Sequence, residues 1–551
     1  MTHLCHIHIG PVQSFIASGR RTQDLLVGSW LLSELARAGV EAARAAHADL
    51  LYPAVVNGSL PESVPNLFAF LTEDEPNGIC EYVEEQIRGR WREIAGGVKA
   101  WLSRRAVQDA QTPDRWEDVF DRQIETWMEV YWVAVHYDER NHSRSFNTVK
   151  RAMAQRKNAR HFPQIDEPGW KCTLTGAGQA LPLDWSRLSS QVGDKELRPN
   201  ERLGALALIK RFAVDARVLS ISEPFPSTED IAGLREEDKT DKQRGKELEG
   251  YFAILAMDGD RMGPKLSGLK SGNAHRAFSA ALAEFADKTV PDIISHYDAE
   301  AKSNKHGRAA LVYAGGDDVL ALLPLRYAIP CADTIRRKYA EKLSGMVDSP
   351  TMSAGIAVVP SNYPLDIALS LARSAERSAK HDYGRDAVVV TEAHGTQQRT
   401  AGARWALYEE DEKHDQDRKE LDSIAALVSE LIQAFSKPAR LSAKIGYDLS
   451  EMAYALVVKP KEDTDGKETV NVFIPPEARA AEVRRLLKRR SESLVGSKET
   501  QKVVDDLAPR LCGWGDHKYR TREDVEIVGW ESLANWVILA RFLASGGKEQ
   551  S

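Results

Sequence analysis

The chain has 551 residues, 42% hydrophobic and 28% charged, a composition that excludes a disordered or fibrous protein and suits roughly three or four folded domains. A net charge of -7 argues against a free-standing nucleic-acid binder, though not against a local groove or a subunit whose partners carry the RNA. The five scattered cysteines (Cys5, Cys80, Cys172, Cys331, Cys512) contain no C-x-x-C pair and argue for a reducing cytoplasm; no run approaches the ~20 apolar residues of a membrane span, and the N-terminus lacks the basic and apolar regions of a signal peptide.

Residues 3–9 alternate, with Cys5, Ile7 and Ile9 on one side and His6 and His8 on the other, and predict a half-buried strand. His3, His6 and His8 invite a metal reading, but alternation accounts for them and no carboxylate or thiolate completes a ligand set. Gly10-Pro-Val-Gln-Ser-Phe-Ile16 turns into a helix. Arg20, Arg21 and Asp24 precede a longer one, from about Leu25 to Ala46, with Leu25, Trp30, Leu31 and Leu35 on its apolar side. A helical region from Glu81 to Met128 leads into a strand, Val130–His136. Strand, helix and strand predict a first α/β unit with insertions.

Residues 146–180 are polar and basic, with Lys150, Arg151, Arg156, Lys157 and Arg160. Lys171-Cys-Thr-Leu-Thr-Gly176 reads as a broken zinc knuckle, since Thr175 stands where a second cysteine belongs and one thiolate cannot build a structural zinc site. A helix with Leu203, Leu206, Leu208, Ile209 and Phe212 follows. Residues 227–250 are highly charged and low in apolar content, as mobile loops and linkers are.

Phe252–Met257 is an almost unbroken apolar run, the mark of a strand buried on both faces, and it ends in Asp258-Gly-Asp-Arg-Met-Gly263. A helix over His275–Tyr297 comes next, with Phe278, Leu282, Phe285 and Ala286 on one side. Tyr313-Ala-Gly-Gly-Asp-Asp-Val-Leu320 then predicts a hairpin: Gly315 and Gly316 are free to take φ > 0 at the turn, and Asp317 and Asp318 open the second strand. Adjacent carboxylates repel unless something cationic neutralises them, and Mg²⁺ is the obvious candidate. A helix from Cys331 to about Met346 and a strand over Met352–Val359 complete a β-α-β-β-α-β order, the ferredoxin-like one, which places the first strand beside the hairpin. Asp258 is then expected to face Asp317 and Asp318 across one cleft, a divalent-metal site for phosphoryl or nucleotidyl transfer as in the palm of polymerases and cyclases.

From Pro364, Leu365, Ala368, Ala372, Ala375 and Ala379 form a stripe that lets a helix sit close on the sheet. Lys380, near its end, is a candidate for the triphosphate and equally a cation that a helix C-terminus favours. A strand over Asp386–Val390 follows; the rest is mostly helical by pattern, with a charged insertion at Lys459–Lys467 and a last helix carrying Trp530, Leu533, Trp536, Val537 and Leu543.

His8-Ile-Gly-Pro-Val-Gln-Ser-Phe-Ile16, Arg20-Arg-Thr-Gln-Asp-Leu25, Lys171-Cys-Thr-Leu174, Lys210-Arg-Phe212, Met257-Asp-Gly-Asp-Arg-Met-Gly263, Gly315-Gly-Asp-Asp318 and Ser353-Ala-Gly-Ile356 occur in this order. Together they resemble the large palm-containing subunit of type III CRISPR effector complexes, in the III-B (Cmr) branch. The resemblance implies an α+β fold of two ferredoxin-like palm domains plus helical domains: a non-catalytic palm over 1–165, a helical domain with the degenerate knuckle over 166–250, a catalytic palm over 251–395 and a C-terminal helical domain over 396–551. It implies synthesis of cyclic oligoadenylate from ATP with Mg²⁺ or Mn²⁺ when guide RNA pairs with a target RNA, beside other subunits of the complex. Asp258, Asp317 and Asp318 would hold two metals, with Asp260 a weaker candidate; Gly259, Gly315, Gly316, Ser353 and Lys380 would line the nucleotide, helped by Arg20 and Arg21. Bound zinc is not expected, and neither is the HD nuclease domain of many members, because His381-Asp382 and His414-Asp415 are the only His-Asp dipeptides and neither lies upstream. Two other functions use the same residues: a non-catalytic scaffold subunit, and a stand-alone nucleotide cyclase.

Overall fold

The computed structural model describes residues 1–55, 58–159, 167–193, 196–221, 224–234, 250–408, 420–456, 474–520 and 526–547. Of the charged linker expected over 227–250, residues 235–249 lie outside them, while 227–234 open with a short helix, Thr228–Ile231; the insertion at Lys459–Lys467 and His414-Asp415 also lie outside.

The N-terminal unit is built on four antiparallel strands, β1 (His3–Gly10), β2 (Asp49–Tyr52), β3 (Leu67–Thr72) and β4 (Glu129–His136), in the order β2-β3-β1-β4. Between β1 and β2 run α1 (Gln13–Ala17) and α2 (Thr22–Ala45); between β3 and β4 run α3 (Pro76–Ser103) and α4 (Trp116–Trp127). This is the ferredoxin-like order. β1 is not half-buried as alternation suggested: His6 is 1% exposed, because α5 (His142–Asn158) covers the second face with Phe146 and Val149. Lys150, Arg151, Arg156 and Lys157 of the basic stretch thus lie on this helix.

Residues 166–250 carry helices α6 (Trp185–Val192) and α7 (Ala205–Phe212), of which α7 packs on α2 and α4. Arg211 on α7 forms a buried double ion pair with Asp24 of α2, at 2.9 and 3.0 Å.

The second unit has six strands: β5 (Tyr251–Gly259), β6 (Ala310–Ala314), β7 (Val319–Pro324), β8 (Met352–Pro360), β9 (Ala387–His394) and β10 (Gln397–Arg404), in the order β10-β9-β8-β5-β7-β6. β8-β5-β7-β6 repeats the topology of the first sheet, and β9 joins parallel to β8. The sheet runs to Arg404, past the expected boundary at 395. The unbroken apolar run of β5 has the predicted cause, since alternate residues serve different cores. Phe252, Ile254 and Ala256 join the core of the first unit, and Ala253, Leu255 and Met257 join that of the C-terminal helices. After β5 come α8 (Met262–Gly268), α9 (Gly272–Glu284), a π turn over Phe285–Thr289, and α10 (Val290–Ser303). α11 (Ala328–Leu343) follows β7, and α12 (Leu365–His381) follows β8. Every member of the Leu365–Ala379 stripe is buried. The fit on the sheet is so close that a Cβ on Gly355 would meet the Ala372 carbonyl and Glu376 N at 2.1 Å. The remaining helices, α13 (Ile424–Phe435), α14 (Ile445–Leu456), α15 (Pro476–Ser491), α16 (Ser497–Asp516) and α17 (Gly529–Ala544), share the second core, with Trp530 and Trp536 fully buried.

Candidate active site

The acidic residues converge through register and one close approach. Asp258 is the penultimate residue of β5, paired with Ser353 of β8, while Met257 pairs with Val319 at the start of β7. Asp317 and Asp318 do not begin β7 as expected; they lie in a four-residue loop, Gly315 to Asp318, closed by Gly315 N–H donating to the Asp318 carbonyl at 2.8 Å. Only Gly316 takes the left-handed conformation, at φ +89. Gly259 donates its N–H to the Asp317 carbonyl at 3.1 Å, which ties the end of β5 to the loop.

The electrostatics are those of carboxylates crowded out of water. Burial, then the nearby Asp258 and Asp318, push the Asp317 carboxyl up to about 7. Burial pushes Asp318 up to about 6 against the opposing pull of Arg373 and a hydrogen bond from Tyr313. That bond, Tyr313 Oη to Asp318 Oδ2, is 2.8 Å, and Arg373 of α12 donates to Tyr313 Oη at 2.9 Å. Asp258 is raised by burial although Lys380 pulls the other way; the Lys380 ammonium contacts Asp258 Oδ2 and lies 2.7 Å from Glu376 Oε1. Arg373, Glu376 and Lys380 therefore present one charged face of α12 to the acids. Sequence reasoning found only Lys380; the spacing i, i+3, i+7 was the available signal for the other two.

Four expected site residues are engaged by partners within the protein. Asp260, 1% exposed, accepts from Ser353 Oγ at 2.8 Å, Thr351 Oγ1 at 2.9 Å and Asp386 N–H at 3.0 Å. Asp260 and Ser353 satisfy each other inside the sheet, and neither lines the cavity beside the acidic loop. Arg20 binds Glu201 and the Thr173 carbonyl, and Arg21 binds Glu196 at 2.6 Å, so both serve the contact between α2 and the helical segment.

A cavity of about 470 Å³ opens beside the acidic loop, between the two units. Tyr313, Gly315, Gly316, Asp317 and Asp318 line one end; Tyr52, Asn66 and Lys150 of the first unit face Phe278 and Ser279 of the second. Three carboxylates are hard oxygen donors of the kind Mg²⁺ and Mn²⁺ take. Yet among the described residues no group of three His, Cys, Asp or Glu side chains is arranged to hold a metal ion. Asp258 is engaged by Lys380. The donors fit a divalent cation in chemistry but not in this arrangement. Cys172 is buried without a metal-ligating cluster around it among those same residues.

Residues 251–389 match the family model described as Cas10/Cmr2, second palm domain, and residues 4–96 match that of CRISPR-associated protein Cmr2, N-terminal. The CRISPR system Cmr subunit Cmr2 of Pyrococcus furiosus is 31% identical over 168 residues, covering 25% of this chain and 18% of that protein. The match thus spans less than a fifth of the curated relative's length. Among solved structures, the type III-B Cmr-beta complex in its apo state contains a chain similar over 99% of this chain and 82% of its own, at 13% identity and TM-score 0.62. In the same type of complex bound to cognate target RNA the values are 99%, 83%, 13% and 0.67. The resemblance to the Cmr2 large subunit and the palm-plus-helical fold are both borne out. No helix among the described residues is long and apolar enough to cross a membrane.

Proposed function

We propose that this chain is the palm-bearing large subunit of a type III-B CRISPR effector complex, and that it joins ATP into cyclic oligoadenylate when guide RNA in the complex pairs with a target RNA. One observation carries the reading: Asp317 and Asp318 of the β6–β7 loop line a cavity between two ferredoxin-like units, and Asp258 at the end of β5 stands near enough to raise the Asp317 carboxyl. Its 470 Å³ falls in the usual range of small-molecule sites. In the reaction a ribose 3′-hydroxyl attacks the α-phosphate of a second ATP, a 3′–5′ phosphodiester forms, and pyrophosphate leaves.

The residues divide this work. Phe278 and Tyr52 offer apolar surface for a base, with Asn66 and Ser279 as polar contacts in the same cavity. Arg373, through Tyr313, fixes the Asp318 carboxylate in orientation. Lys150 and Lys380 bring positive charge to a triphosphate. Asp258, Asp317 and Asp318 would hold Mg²⁺ or Mn²⁺, which would supply Lewis acidity to the transfer. Other subunits of the complex, with the guide and target RNA, are the expected partners.

Changing Asp317 and Asp318 to Ala together should abolish ATP conversion by the assembled complex while leaving assembly and target-RNA binding intact. Equal activity in the double variant ends this reading. The scaffold alternative draws on the Asp258–Lys380 contact, which leaves the acids unready for metal; Mn²⁺-dependent ATP binding separates the two.

A further inference from the structure

We propose that Lys380 is an exchangeable counter-cation of the acidic site: its ammonium holds Asp258, and a divalent cation gains that carboxylate only as Lys380 leaves it. The inference rests on the reading above in one respect, the assignment of Asp258 as a metal ligand.

Three observations support it. The Lys380 ammonium, on a side chain 17% exposed, has two anions within reach, Asp258 across the sheet end and Glu376 one turn back on α12. Among the described residues no three side chains are set to take a metal, although three suitable carboxylates approach one another there. Asp317 has no ion-pair partner among those residues, so the site as it stands contains a cation at one carboxylate and none at its neighbour.

An ammonium and a divalent ion repel strongly at contact distance in a half-buried site and cannot share one carboxylate oxygen. The four-carbon stem of lysine lets the ammonium swing while α12 stays fixed. Glu376 offers it a resting place on its own helix, and the triphosphate of an arriving nucleotide offers another. Metal and nucleotide entry are thereby coupled, because whatever draws Lys380 away also frees Asp258.

Mn²⁺ titration of the full chain without nucleotide, followed by electron paramagnetic resonance, tests the exchange. Lys380→Met keeps the apolar stem and removes the charge; it should tighten Mn²⁺ binding by roughly 5- to 150-fold, the usual span of a coupling between sites. In an Asp258→Asn background the same substitution should change nothing. Unchanged or weaker Mn²⁺ binding in Lys380→Met overturns the proposal. A second measurement uses the unaltered chain: saturating Mn²⁺ should raise the rate at which an amine-reactive reagent modifies Lys380, and an unchanged rate also overturns it. Neither readout requires turnover, so failure to convert ATP with both effects present counts against the assigned reaction and not against the exchange.

Discussion

Gly259 and Asp317 are joined by a single backbone hydrogen bond of 3.1 Å, and that bond sets how the β5 end meets the acidic loop. The approach needs a residue without a side chain. A Cβ on Gly259 would stand 2.5 Å from Tyr339 Oη and 2.9 Å from Asp317 Cβ. Gly259→Ala should therefore cost about 1–3 kcal/mol, the usual penalty for overpacking, and lower ATP conversion more than stability alone explains. Gly268→Ala, where a Cβ meets nothing within 4 Å, should stay within about 0.5 kcal/mol of the parent. Urea unfolding of the three chains checks the pair.

The crowded carboxylates predict a pH dependence with a definite sign. Asp317 is held up to about 7 in the folded chain, against an ordinary value of 3.8. Between these values the folded chain keeps a proton that the unfolded chain has released. The stability this contributes is fully present below the ordinary value and is lost as pH rises through about 7. Asp317→Asn removes the effect. In chelator, the stability of Asp317→Asn relative to the parent should climb from pH 4 to pH 7.5, by on the order of 3–4 kcal/mol. A flat difference across that window contradicts the burial described for this residue.

Arg20 and Arg21 belong to a structural contact, and substitution separates that role from nucleotide binding. Arg20→Ala should leave ATP affinity within about twofold of the parent, since its ion pair with Glu201 is half-exposed and worth little. Arg211→Met strands the buried Asp24 carboxylate and should cost about 3–5 kcal/mol. Isothermal titration with a non-hydrolysable ATP analogue, alongside thermal melts, reads both.

Much of the second unit was legible because its signals are local. The apolar run of β5, the Gly-Gly-Asp-Asp loop and the small-residue stripe on α12 each state their surroundings in a few residues. β2 and β3 were missed: they are four and six residues long, and β3, Leu67–Thr72, is buried nearly throughout and lacks alternation. β10 begins with Gln397-Gln-Arg-Thr, an edge sequence with no apolar period. Long-range partners were the other blind spot. Nothing near Arg21 announces Glu196, 175 positions away, and nothing near Asp260 announces Thr351 and Ser353. A carboxylate beside a strand end reads the same from sequence whether it faces a ligand or a serine.

The central claim is that Asp258, Asp317 and Asp318 make an ATP-joining site. Its most direct test is mass spectrometry of products after the chain, in its RNA-loaded complex with cognate target, is incubated with each nucleoside triphosphate and Mg²⁺. The account predicts pyrophosphate and 3′–5′-linked cyclic oligoadenylate from ATP, and neither when target RNA is omitted. ATP recovered unchanged from the complete, target-bound assembly contradicts it.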